Sequence, residues 1–146
     1  MRKNEKRQKA VDNAKLIDFT QYAQRRMAFR FSYIGANYGG LVLQTSDPNT
    51  VEQTILNGLK KVCLINPNEQ SSYSCYLNRC GRTDKGVSAL SNVLSIELRH
   101  LPAEDYLVRI NRVLPPDIRM LAWTYVDDSF DARFSCIYRE YNYFFF

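Results

Sequence analysis

The sequence predicts an α+β fold, a mixed or antiparallel sheet with helices packed on one face, of the split βαβ type. Two periodicities and a size predict it. Apolar residues alternate at Met27, Phe29, Phe31 and Tyr33, and again at Leu94, Ile96 and Leu98, the period-2 pattern of strands. Helical spacing joins Val51, Ile55, Leu59 and Val62, and then Tyr106, Ile110 and Val113. At 146 residues and 45% hydrophobic content the chain suits one domain with its own core.

Residues 1–24 read as a polar, basic arm, helical or flexible, and residues 25–146 as the folded domain. The first strand starts at Met27 and is broken by Gly35, Gly39 and Gly40. Asp47-Pro48-Asn49-Thr50 is a turn into the first helix, with Thr50 as N-cap and Gln53 completing a capping box; this helix runs to about Cys63. Asn66 to Asn78, rich in Ser, Asn and Tyr, is expected as a surface loop or hairpin that varies without harm to the core. Strand character returns over Val87 to Leu98. Pro102 opens a second helix from Ala103 to about Val113, which Leu114-Pro115-Pro116-Asp117 ends. Ile118 to Val126 and Cys136 to Phe146 read as the last two strands, giving the order β-α-β-α-β-β. That ferredoxin-like or RRM-like architecture hosts many RNA-binding modules, but fold alone does not choose a function.

The formal charge of +5 is unevenly spread. Residues 1–30 hold nine Lys and Arg against three acids, a net of +6, while the other 116 residues carry a net of −1. The basicity thus belongs to the arm, which either attracts phosphate or an anionic surface or is a solvated leader. An aromatic content of 13% suits a well-packed sheet or a surface that stacks on bases. Four cysteines and one histidine form no C-x-x-C pair, which argues against a zinc signature, and no apolar run is long enough to cross a bilayer. No secretory signal precedes the cysteines, so reduced thiols in an intracellular compartment, nucleus or cytoplasm, are expected.

Two stretches carry candidate chemistry. Asp84 lies between Gly81 and Gly86 and among Arg79, Arg82 and Lys85. The glycines permit positive φ on either side of the acid, and the cations would hold it ionised and lower its pKa. Such an aspartate serves as a nucleophile or base, or it caps a turn; local chemistry leaves both open. In the final strand, alternation puts Arg139, Tyr141 and Tyr143 on one face. A guanidinium beside two phenols stacks on a base or grips a phosphate, as recognition of an extruded nucleotide requires. An ordinary aromatic sheet face is the alternative.

Gly81-Arg82-Thr83-Asp84-Lys85-Gly86-Val87 resembles the G-R-T-D-x-G-V signature of the tRNA pseudouridine synthases. Ala132-Arg133-Phe134-Ser135 and Arg139-Glu140-Tyr141-Asn142-Tyr143 are similar to that family's A-R-F-S and R-x-Y-x-Y segments. Asn111 to Ile118 is similar to its N-x-x-L-P-x-D-I stretch, and Tyr33-Ile34-Gly35 with Tyr38 and Gly40 to its opening strand-loop. The order agrees throughout, from about Arg25 to Phe146, and these segments together are far more specific than any one. The wording from Cys80 to Ala89 and at Phe134-Ser135-Cys136 looks most like the eukaryotic branch acting at tRNA positions 38 and 39. Ile34 and Leu41 depart from the Asp and Trp found in other branches.

The resemblance implies that Asp84 is the nucleophile, that Arg82 displaces the target base from its stack, and that Tyr141 packs on the flipped uracil. Thr83 and Arg139 stand with them as substrate contacts, tRNA is the partner, and neither metal nor organic cofactor is required. It also implies that the chain is the N-terminal half of a synthase whose other half supplies the second wall of the cleft, so that this part alone is at best weakly active. A non-catalytic tRNA-binding or RNA-chaperone module, or a subunit that pairs with a second copy through its final strand as a homodimer, are the alternatives.

Overall fold

The computed structural model describes residues 17–68 and 72–145. Most of the expected basic arm, part of the expected 66–78 loop, and Phe146 lie outside the described residues. The regular elements are β1 (Gln24–Tyr33), α1 (Val51–Lys61), β2 (Asn78–Arg79), β3 (Ala89–Arg99), α2 (Tyr106–Val113) and β4 (Ile118–Tyr125). The sheet order is β2-β3-β1-β4 with every neighbouring pair antiparallel. This is the predicted split βαβ arrangement in its fully antiparallel form.

The predicted alternation sets the core. Met27 and Phe29 of β1 stand opposite Ile96 and Leu94 of β3, and opposite Tyr125 and Trp123 of β4. Met27, Phe29, Ile96 and Leu94 are buried in one cluster with Val51, Ile55 and Leu59 of α1 and Tyr106 and Ile110 of α2. Each large apolar side chain so buried contributes about 1.5–3 kcal/mol. The Tyr106 ring meets Trp123 edge-on at 4.8 Å, and its hydroxyl accepts the Leu101 N–H at 2.8 Å, so this buried phenol has its polar end satisfied.

Helix ends follow local chemistry. Thr50 Oγ1 accepts the Gln53 N–H at 3.2 Å, the predicted N-cap. The reciprocal arm of the capping box, a Thr50 N–H bond to Gln53 Oε1, is not made; the Gln53 side chain turns along the helix, where Nε2 donates to Asn57 Oδ1. α2 starts at Tyr106 and not at Ala103, because Glu104 takes φ +51°, outside the helical region.

Three other expectations are corrected. The 66–78 stretch is not dispensable to the core: Cys75 and Leu77 are buried in it, and Asn78 and Arg79 form β2 against Ser95 and Leu94 of β3. That short strand falls between the helices, so the order is β-α-β-β-α-β. The segment 136–145 is not a strand. An alternating pattern becomes a strand only where a ladder partner is available, and this segment instead turns back toward the 80–84 loop. Arg139, Tyr141 and Tyr143 therefore share no strand face.

What ties the chain after β4 to the sheet is Arg26. Its guanidinium is buried and donates to Phe130 O at 3.1 and 3.0 Å, to Tyr76 O, and to Ser95 Oγ at 3.0 Å, while Ser95 Oγ also accepts the Ala132 N–H. Replacing Arg26 by Ala removes the donor to two part-buried carbonyls and to the buried Ser95 hydroxyl. The expected outcome is a loss of about 3 kcal/mol in urea unfolding, read as a lower midpoint at unchanged slope.

Candidate active site

The loop from Cys80 to Ser88 is held from two sides. On the sheet side, the Cys80 N–H bonds to Val93 O at 2.8 Å. The buried Asn92 carboxamide grips Gly81 at both ends, Oδ1 accepting the Gly81 N–H and Nδ2 donating to Gly81 O, each at 3.2 Å. On the other side lies the segment after β1. Leu41 N–H bonds to Thr83 O at 3.1 Å, Gly86 N–H to Tyr38 O at 3.3 Å, and Gly35 N–H to Ser88 Oγ at 2.9 Å.

Two glycines make that close approach possible. A Cβ on Gly35 would sit 1.9 Å from Val87 O, and one on Gly40, whose φ is +128°, would meet Thr83 O at 3.1 Å. Within the loop only Gly86 has the expected positive φ, +79°; Gly81 does not. Tyr33 Oη and Thr83 Oγ1 share a hydrogen bond of 2.7 Å, and burial pushes the Tyr33 phenol up. Tyr38 Oη donates to Asp117 Oδ1 at 2.7 Å, fixing the bed to the turn before β4. Asp84 thus stands exposed on a loop whose backbone is bonded on either side of it.

Beside the loop opens a groove of about 1070 Å³ whose wall includes Arg79, Arg82, Arg133, Arg139 and Tyr141. Arg139 Nε and Nη2 both donate to Cys80 O, the first at 2.8 Å, which draws the 136–145 segment onto the loop. Arg82, Arg139 and Tyr141 are thereby brought together. Thr83 and Asp84 are not part of the groove wall. The expected ring of cations around Asp84 does not form. Arg79 Nη1 instead pairs with Glu52 Oε1 at 3.3 Å, Arg82 lowers the same carboxyl, and among the described residues no ion pair reaches Asp84.

No family model matches the chain. Curated proteins do. The tRNA pseudouridine(38/39) synthase of Homo sapiens is 42% identical over 88% of this chain and 30% of that protein, and its counterpart in Saccharomyces cerevisiae is 41% identical over 95% and 35%. By sequence, the chain is similar to tRNA pseudouridine synthases over most of its own length. The tRNA pseudouridine synthase A of Methanothermobacter thermautotrophicus is 38% identical over 82% of the chain and 40% of that protein. The chain spans about a third of the length of the curated eukaryotic relatives it matches.

The motif segments offer Arg82, Thr83, Asp84, Arg139 and Tyr141 as candidates, but the groups that hold these segments in place were not among the residues singled out from the sequence. Asn92, a carboxamide in the middle of an apolar strand, was the visible signal for one. Glu52 was another: it lies on the first turn of α1 yet is buried, Oε2 accepting the Leu43 N–H at 3.2 Å and Oε1 holding Arg79. Burial pushes its carboxyl up, with Arg79, the Leu43 N–H and Arg82 pulling it partly back.

A carboxyl held above its unfolded value binds its proton more tightly in the native chain. Its contribution to stability is therefore full below the ordinary carboxylate range and is lost as pH rises through the folded value. Urea unfolding at steps from about pH 4 to about pH 7 should show the wild type losing stability relative to Glu52→Gln as pH rises. A wild type that gains on the variant over that range would contradict the assignment.

Proposed function

We propose that the chain is the catalytic portion, around the nucleophile, of a tRNA pseudouridine synthase that isomerises uridine in the tRNA anticodon arm. The observation that carries the reading is Asp84 held out on a two-sided backbone clamp beside a groove walled by arginines and Tyr141. The 38/39 naming of the eukaryotic relatives supports the anticodon arm as the target.

The Asp84 carboxylate attacks the target uridine, at the anomeric carbon or at the pyrimidine ring. The bond from the anomeric carbon to N1 breaks, the base turns, a bond from the anomeric carbon to C5 forms, and the bond to Asp84 breaks to return the free carboxylate. The C5 proton is then removed while N1 ends protonated, so the reaction is an isomerisation with no co-reactant. Arg82 enters the vacated stack, Tyr141 packs on the extruded uracil, and Arg139 and Thr83 contact the substrate, Thr83 being oriented by Tyr33. Arg82, Arg133 and Arg139 supply positive charge for phosphates along the groove. Tyr141 is 59% exposed and Phe145 92% exposed, so the aromatic segment leaves one wall of the uracil site open. Alone, the 146-residue chain is expected to bind tRNA and to form at most traces of pseudouridine.

A chimera in which residues 25–145 replace the matching stretch of the Saccharomyces cerevisiae relative tests the roles. It should form pseudouridine in unmodified tRNA, and Asp84→Asn should lower the rate by about 10³-fold or more with tRNA affinity retained. Turnover that survives Asp84→Asn would overturn the nucleophile assignment. For the isolated chain, Arg82→Ala and Arg139→Ala should each weaken tRNA binding and reduce the salt slope by about one. An RNA-binding module without catalysis would show the same binding losses and an inactive chimera.

A further inference from the structure

Cys80 and Cys136 lie 56 residues apart in sequence, yet Cys80 Sγ donates to Cys136 Sγ across 2.8 Å. Cys136 Sγ in turn donates to Tyr138 O at 3.3 Å. Both thiols are half-buried and neither is in a disulfide, so each is within reach of a small solute. Their setting is specific. Cys80 opens the loop that presents Asp84, and its carbonyl receives the Arg139 guanidinium. Cys136 opens the segment that carries Arg139 and Tyr141 into the groove. The two sulfurs therefore sit on the seam between the two parts of the candidate site, and the approach needed to join them is under an ångström, from 2.8 Å to a bond of about 2.05 Å.

We infer that Cys80 and Cys136 form a thiol–disulfide modification site that covalently ties the Arg139–Tyr141 segment to the Asp84 loop. The oxidant is a low-molecular-weight disulfide. One protein thiolate attacks it, displacing one small thiol and leaving a mixed disulfide on the protein. The second protein thiolate attacks the protein sulfur of that bond, displacing the other small thiol. Two protein thiols lose their protons, one protein disulfide forms, and the small disulfide leaves as two thiols. The second step is intramolecular between sulfurs already in contact, so it outruns dissociation and reaction at other cysteines. The half-buried Cys63, just past the end of α1, and the buried Cys75 serve as internal controls.

The purified chain is equilibrated in oxidised and reduced glutathione at several ratios, quenched by alkylation, and mapped by mass spectrometry without reduction. The expected result is a chain lighter by two hydrogens, with one linked peptide pair containing Cys80 and Cys136, reversed by dithiothreitol. Cys136→Ser should lose the cross-link and carry a glutathione adduct on Cys80 instead, and Cys80→Ser the converse. Linkage of other cysteines, stable mixed disulfides on both Cys80 and Cys136 in the unmutated chain, or an intramolecular cross-link that persists in Cys136→Ser would each overturn the inference. The readout needs no tRNA, so it stands or falls separately from the synthase reading.

Discussion

The grip of one buried carboxamide on one glycine sets the geometry of everything near Asp84. Asn92 Oδ1 and Nδ2 take both backbone groups of Gly81, and Oδ1 also accepts the N–H of Val93 at 2.8 Å. A carboxamide in an apolar strand is costly unless its donors and acceptors are met. Here they are met by the loop itself, so the strand's polar residue and the loop's conformation stabilise one another. The loop leaves β2 fixed by this contact and by the bond from Cys80 to Val93, before it reaches the aspartate.

The other flank depends on close backbone approach. Gly35 and Gly40 let the segment after β1 pass against Val87 and Thr83, and Tyr38 anchors that segment to Asp117. At the groove wall, the part-buried Arg79 pairs with the buried Glu52, and the pair adds order in proportion to how fully its hydrogen bonds are met. The chain after β4 joins no ladder and is held by Arg26, by Ser95 and by the bonds from Arg139 to Cys80. The candidate site is thus a rigid loop on a sheet, faced by a segment held through a few polar contacts.

Much of the fold was legible because it rests on local periodicity. The alternation in β1 and β3 and the helical stripe through Val51, Ile55 and Leu59 report directly which face is buried. The N-cap at Thr50 was legible for the same reason, since it joins residues three apart. The strand expected over 136–146 was not, because a strand needs a partner and nothing in Tyr138 to Tyr143 tells whether an edge will be offered. The candidate residues came from the motif resemblance, but their mutual placement did not. Asn92 with Gly81, Cys80 with Cys136 and Glu52 with Arg79 pair residues from 11 to 56 positions apart, and no spacing rule connects them.

The central claim is that the sheet, through Asn92, preorganises the Asp84 loop. Native-state hydrogen exchange on wild type and Asn92→Ala tests it most directly. The account predicts that in the wild type the amides of Cys80, Gly81 and Leu41 are protected nearly as well as those in the middle of β3, and that Asn92→Ala selectively releases Gly81 and Leu41 while β1 and β4 stay protected. Exchange of the loop amides at the rate of exposed chain in the wild type, or no change in them on Asn92→Ala, would contradict it.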